Sequence, residues 1–147
     1  MYFALGRTAV NESEKLVGEW ARLWSSPDAA NEDFEKLFSP ECEYVDVPFG
    51  EKLRGHEETR EFHERSRQSF PDFAVTLESV IADDAGAVCA TWSMSGTHKG
   101  DLPGLPATGR SLSMCGVSVM RIVDGKIGYC TDYYDAAGMM RQLMNDE

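Results

Sequence analysis

Two aspartates and a histidine stand out in this chain as groups able to move protons. Asp132 interrupts KIGYCTDYYD, a run that is otherwise largely apolar and aromatic. Asp is a poor strand former and costly to bury, so at this position it has either found a partner or has a chemical task. In an extended chain Gly128, Cys130, Asp132 and Tyr134 share one face, and Ile127, Tyr129, Thr131 and Tyr133 share the other. Both faces are largely apolar, which predicts a low-dielectric setting and a carboxyl pKa raised toward neutrality. Such a carboxyl can take a proton and return it. The plainer reading is a strand-end Asp that bonds a loop or caps the next turn.

Asp46, in CEYVDVPFG, is the second carboxylate. It precedes Pro48, Phe49 and Gly50, the usual setting of a turn Asp. If it shares an apolar cavity with Asp132, the two pKa values split, as in an acid/base pair. His98 opens the loop THKGDLPGLPATG, which is long for a compact domain and has the character of a lid or binding loop; a solvated loop histidine is the simpler alternative. No metal is expected. His98 has only Asp101 nearby, His56 and His63 lack the i,i+4 spacing of a helical ligand pair, and Cys42, Cys89, Cys115 and Cys130 are scattered singly. Four buried thiols in a reducing cytoplasm are the reading for those cysteines.

Positioning these groups requires a defined set of elements. Asn11 and Glu14 form a capping-box pattern, and Leu16, Val17, Trp20, Leu23 and Trp24 recur at helical spacing to about Ser25. Pro27 ends that helix, and Asn31 can cap a short second one presenting Phe34, Leu37 and Phe38. Glu41 to Val47 reads as a strand, and His56 to Gln68 as a charged, half-exposed helix anchored by Phe62. Phe73 to Ile81 and Ala87 to Ser95 alternate around Asp83-Asp84-Ala85-Gly86, a hairpin signal. SLSMCGVSVMRIV and KIGYCTDYYD form another hairpin around Asp124-Gly125. Ala136, Met139, Met140, Leu143 and Met144 give a closing amphipathic helix. Helices followed by a run of antiparallel strands predict an α+β fold: a curved antiparallel sheet wrapped over N-terminal helices, with a cone-shaped apolar cavity at one end. Trp20, Phe49, Phe62, Trp92, Met94, Met114, Ser118 and Tyr134 are the candidate lining, suited to a flat polycyclic ligand.

The 147 residues read as a single domain, 42% hydrophobic and 27% charged, with a net charge of −11. That charge argues against a nucleic-acid partner. No apolar run approaches the roughly 20 residues needed to cross a bilayer, and the N-terminus makes a poor signal peptide. Phosphate-binding glycine motifs and Gly-x-Ser-x-Gly are both missing.

The stretch GTHKGDLPGLPATGR…VMRIVDGKIGYCTDYYDAAGMMRQLM resembles the C-terminal half of SnoaL-like polyketide cyclases, within the superfamily of α+β cones that includes ketosteroid isomerase and nuclear transport factor. The VDVPFG…LRG corner extends the resemblance, more loosely, into the N-terminal half. The resemblance places the family's acid/base aspartate on Asp132. It implies a cofactor-free intramolecular aldol closure of a hydrophobic polyketide ester, and a homodimer. The chain departs from the pattern in places. A histidine that assists in cyclases falls on Ser118. The ketosteroid isomerase base falls on Asp46, which keeps proton-transfer isomerisation open, but that family's oxyanion donors fall on Trp20 and Ser118. Relatives that hydrolyse limonene epoxide need an Arg and a second Asp where this chain has TWSMSGT. A non-catalytic small-molecule binder is the competing class, because fold alone does not give function.

Overall fold

The computed structural model describes residues 2–144, with side chains from Glu12 onward. Helix α1 spans Tyr2–Ser25 and turns a stripe of Val17, Trp20 and Trp24 into the core. It begins before the Asn11–Glu14 pattern, so that pattern is not its start; the Asn11 side chain lies outside the described residues. The short α2, Asn31–Leu37, is not capped by Asn31. Its first turn is closed by Asp33, whose carboxylate accepts the Ala30 N–H at 2.8 Å. Phe38 is buried as expected but opens strand β1, Phe38–Asp46, rather than extending α2. A four-residue strand that the sequence pattern did not reveal, β2 at Glu51–Arg54, folds back on β1 before helix α3, Gly55–Ser69.

The remaining strands are β3 (Ala74–Ala82), β4 (Ala87–Thr97), β5 (Ser111–Val123) and β6 (Lys126–Tyr134), followed by helix α4 (Ala136–Met144). In the β3–β4 turn, Asp83 Oδ1 accepts the N–H groups of Ala85 and Ala87, both at 2.9 Å. The β5–β6 turn places Asp124 and Gly125 at φ 51° and 76°. Two positive φ values are the demand of the tight hairpin turn whose twist matches the strands, and Asp-Gly meets it. Alternation then sends Val88, Ala90, Trp92 and Met94 of β4, and Leu112, Met114, Ser118 and Met120 of β5, to the same buried face.

The fold is α+β, with one open six-stranded sheet in the order β2-β1-β6-β5-β4-β3. Helix α1 packs on β3 at one edge, while α3 packs on β1 near the other. Helices that touch both ends of a sheet require it to curl around them. One junction departs from the expected all-antiparallel run: β1 and β6 are parallel, with Asp46 opposite Asp132. In β6 the alternation holds from Cys130 to Tyr134 and breaks at Gly128, an extra residue between the pairs Arg121↔Tyr129 and Ile122↔Ile127. Tyr129 and Tyr133 face out and are exposed, while Thr131 between them is buried along with Cys130 and Asp132. Cys42 and Cys130 are buried, but Cys115 is exposed and Cys89 half-buried, contrary to the expectation of four buried thiols. Among the described residues no helix is long and apolar enough to cross a membrane.

Candidate active site

The curled sheet and helices α1 and α3 enclose a cavity of about 720 Å³. Its walls are aromatic: Trp20 and Trp24 from α1, Phe62 from α3, Trp92 from β4 and Tyr134 from β6, with Met94 and Phe49. Leu102 and Pro103 reach in from the loop that joins β4 to β5. Both Asp46 and Asp132 line the cavity, and their strand register brings them together.

The two carboxyls are held by reciprocal contacts between β1 and β6. The Tyr44 hydroxyl, on β1, donates to Asp132 Oδ2 on β6 at 2.6 Å. The Tyr134 hydroxyl, on β6, donates to both oxygens of Asp46 on β1, at 2.9 and 2.7 Å. Tyr44-Val45-Asp46 and Asp132-Tyr133-Tyr134 present these groups two residues apart, which is the spacing of one strand face. Parallel pairing lets each tyrosine reach the aspartate on the other strand. A third strand contributes Ser118, whose hydroxyl donates to Asp132 Oδ1 at 2.5 Å and accepts the Trp92 indole N–H at 2.9 Å. The Cys130 thiol is 3.6 Å from the same oxygen.

Asp132 has found partners: it has O–H donors on both oxygens. Neutral donors offset burial only in part. Desolvation is the dominant influence and pushes its pKa up to about 6, while the Ser118 and Tyr44 bonds pull the other way and the neighbouring Asp46 adds to the rise. Asp46 is also raised, chiefly by burial, against the bonds from Tyr134 and the Phe49 N–H. That N–H reaches Asp46 Oδ1 at 3.2 Å, so Asp46 holds the turn after β1 as well as facing the cavity. Burial drives the Tyr44 and Tyr134 phenols well above their ordinary range, which keeps both as donors.

His98 does not join this pair. It is fully buried outside the cavity lining and stacks on Phe70 with ring centroids 5.5 Å apart. Its Nδ1 lies 3.0 Å from the Thr108 hydroxyl and accepts the Thr108 N–H at 3.2 Å, which ties the two ends of the long loop together. Met114 is buried in the core and does not line the cavity, and Ser118 acts on it only through Asp132. Trp20, Phe49, Phe62, Trp92, Met94 and Tyr134 do line it. Sequence reasoning missed Tyr44; the signal was the mirrored Tyr-x-Asp and Asp-x-Tyr spacing in the two strands. Among the described residues no group of three His, Cys, Asp or Glu side chains is arranged to hold a metal ion.

A curled open sheet over helices, with a carboxyl pair facing an apolar cavity, defines an α+β cone fold. The chain belongs to the SnoaL-like polyketide cyclase family, whose model matches residues 14–143. It is 43% identical over 68 residues to aklanonic acid methyl ester cyclase DnrD of Streptomyces peucetius, a match covering 46% of this chain and 47% of that protein. It is 44% identical over 68 residues to nogalonic acid methyl ester cyclase of Streptomyces nogalater, covering 46% of this chain and 51% of that one. The match thus spans about half the length of each of these relatives. Among solved structures, TsrD of Streptomyces laurentii superimposes with a TM-score of 0.79 at 25% identity, covering 91% of this chain and 96% of its own. An NTF2-like protein of Burkholderia pseudomallei shares the fold at a TM-score of 0.74 and 16% identity, covering 91% and 98%.

Proposed function

We propose that this chain is a cyclase that closes a ring by an intramolecular aldol-type reaction on a hydrophobic, polyketide-like carbonyl compound, with Asp132 as the acid/base. The observation that carries the reading is the Asp132 carboxyl itself. It faces an aromatic cavity, is held on both oxygens by hydroxyl donors, and has its pKa pushed up to about 6 by burial. A base of that strength suits a carbon acid flanked by two carbonyls, because such a proton is acidic enough for a carboxylate to remove. The step balances without a cofactor. Asp132 takes the proton, and the C–H electron pair becomes an enolate. The enolate carbon bonds to an aldehyde or ketone carbon of the same molecule. That carbonyl oxygen then takes up a proton, which the protonated Asp132 can return. The aromatic walls supply the folded, near-attack geometry, and Ser118 and Tyr44 hold the carboxylate in place.

A second reading rests on Asp46, which faces the same cavity with its own raised pKa and its own tyrosine. In that reading Asp46 is the base of a proton-transfer isomerase. Two isosteric variants separate the readings. Asp132→Asn should lower ring closure of a tricyclic β-ketoester by about 10²–10⁴-fold while the fold, followed by circular dichroism, stays intact. Retained turnover in Asp132→Asn would end the cyclase reading as written. Loss of α-proton exchange from a flat enone in Asp46→Asn, but not in Asp132→Asn, would favour the isomerase.

A further inference from the structure

Among the described residues, the one strand contributing a donor to Asp132 from outside the β1–β6 pair is β5, through Ser118. Serine has one hydrogen and a free rotor, so its hydroxyl holds an aspartate reliably only if something sets its direction. In this site that group is Trp92. Its indole N–H donates to Ser118 Oγ at 2.9 Å, which occupies the oxygen from one side and leaves the single Ser118 hydrogen to point at Asp132 Oδ1 at 2.5 Å. Indole N–H is a donor only, so the polarity of the chain runs one way, from Trp92 through Ser118 to the carboxylate. All three members are buried.

The geometry depends on the residue across the strand from Trp92, which is Gly116. A Cβ at position 116 would lie 2.3 Å from Cη2 of the Trp92 ring and 2.5 Å from Cζ2. The ring therefore lies flat over the backbone of β5. That placement carries its Nε1 along the strand to Ser118, two residues on. Trp20 and Trp24 line the same cavity, but neither indole N–H has a hydrogen-bond partner. Of the three cavity tryptophans, Trp92 alone is wired to the carboxyl.

We infer that Trp92 is a positioning residue for Asp132, acting through the Ser118 hydroxyl, and that Gly116 supplies the space its ring needs. The inference rests on the reading of Asp132 as the acid/base. Removing the indole N–H frees the Ser118 rotor, and the ionised carboxylate loses a fixed donor. A lost donor to the charged form raises a carboxyl pKa. The titratable groups that face Asp132 are Tyr44 and Asp46 from β1 and Cys130 and Tyr134 from β6; from β5 it meets only the neutral Ser118 hydroxyl. Trp92 also packs on the Tyr134 ring, with centroids 6.2 Å apart, and Trp92→Phe keeps an aromatic ring there while removing the indole N–H.

The test needs no substrate. The Asp132 carboxyl is titrated by ¹³C NMR in the full chain, in Trp92→Phe, in Ser118→Ala and in the double variant. Trp92→Phe is expected to raise the midpoint by about half a unit or more, and Ser118→Ala by at least as much. Because the indole N–H bonds Ser118 and not Asp132, the double variant should match Ser118→Ala rather than add to it. An unmoved midpoint in Trp92→Phe, or shifts that add, would overturn the inference. A readout independent of that variant's folding is the Trp92 indole N–H signal of the unmodified chain. It should titrate with the Asp132 midpoint, while that of Trp24 stays still, and a static Trp92 signal would also overturn the inference. Turnover of Asp132→Asn is judged separately, so a failed acid/base reading leaves the NMR coupling observable.

Discussion

At the scale of single residues, the protein stores strain as buried charge. Asp132 has hydroxyl partners and, among the described residues, no cation beside it, so its ionised form costs folding energy that its protonated form does not. The sign follows from linkage. The folded pKa of about 6 lies above the ordinary 3.8, so between these values the native state binds more protons than the unfolded chain, and stability falls as pH rises. Above that window the penalty from Asp132 is about 3 kcal/mol. Asp46, also raised by burial, adds in the same direction. Asp72 and Asp83 act oppositely at the acid end, because hydrogen bonds from Thr97 and from the Ala87 and Ala85 N–H groups lower theirs, and His63, lowered chiefly by burial, acts oppositely as pH approaches its ordinary 6.5. In thermal melts the stability of the wild type relative to Asp132→Asn should therefore decrease from about pH 4 to about pH 6. A wild-type minus Asp132→Asn difference that rises across the window would contradict the buried setting of Asp132. In the same window an Asp132 base gains activity as it ionises, so stability and turnover should trend in opposite directions.

At the scale of elements, the loop between β4 and β5 is fastened to the C-terminal end of α3. The Lys99 and Gly100 N–H groups donate to the Ser69 carbonyl at 3.0 and 3.1 Å. The Ser69 hydroxyl returns a bond to the Asp101 carbonyl at 3.1 Å. Asp101 Oδ1 in turn accepts the Ala107 N–H at 2.8 Å. Gly100 is required for this approach, since a Cβ there would lie 2.1 Å from the Gln68 carbonyl oxygen, a backbone atom unable to move aside. His98 closes the loop from inside through Phe70 and Thr108. Leu102 and Pro103 are thereby held over the cavity. Gly100→Ala should cost about 1–3 kcal/mol and speed hydrogen exchange across 99–110 while the β5–β6 amides stay protected. Uniform loss of protection would mean that the loop is part of the global core instead of a separable wall.

At the scale of the whole molecule, the sheet has one face committed to the cavity and another left open. Val119 on β5 and Tyr129 and Tyr133 on β6 are exposed on neighbouring strands, with Val123 at the end of the hairpin. A homodimer through this face is the assembly the family resemblance implies, and its apolar character suits a second copy better than an acidic chain's charged partners. Sedimentation at micromolar concentration should give a dimer, and Val119→Glu should shift it to monomer with the Asp132 titration unchanged. A wild-type monomer under those conditions would remove the proposal.

Local chemistry made much of this architecture legible in the sequence. The α1 stripe of Val17, Trp20 and Trp24, the alternation of β4 and β5, and the Asp124-Gly125 turn all follow from periods and dihedral preferences that act over a few residues. The burial of Asp132 was legible because the run around it is largely apolar on both faces, and parity adds only which residues share its side. Parity does not say which strand lies alongside. The parallel pairing of β1 with β6 joins segments 88 residues apart, and only that pairing sets Asp46 beside Asp132 and crosses each with the other strand's tyrosine. His98 shows the same limit: a histidine opening a glycine-rich loop looks exposed until the loop folds back and buries it on Phe70. The sequence by itself determined most of the elements, though not β2 or the start of α1, and the carboxyl that had to be explained. The tertiary structure decided which groups surround that carboxyl, and hence its pKa, because desolvation and hydrogen bonding depend on neighbours brought together only by the folded chain.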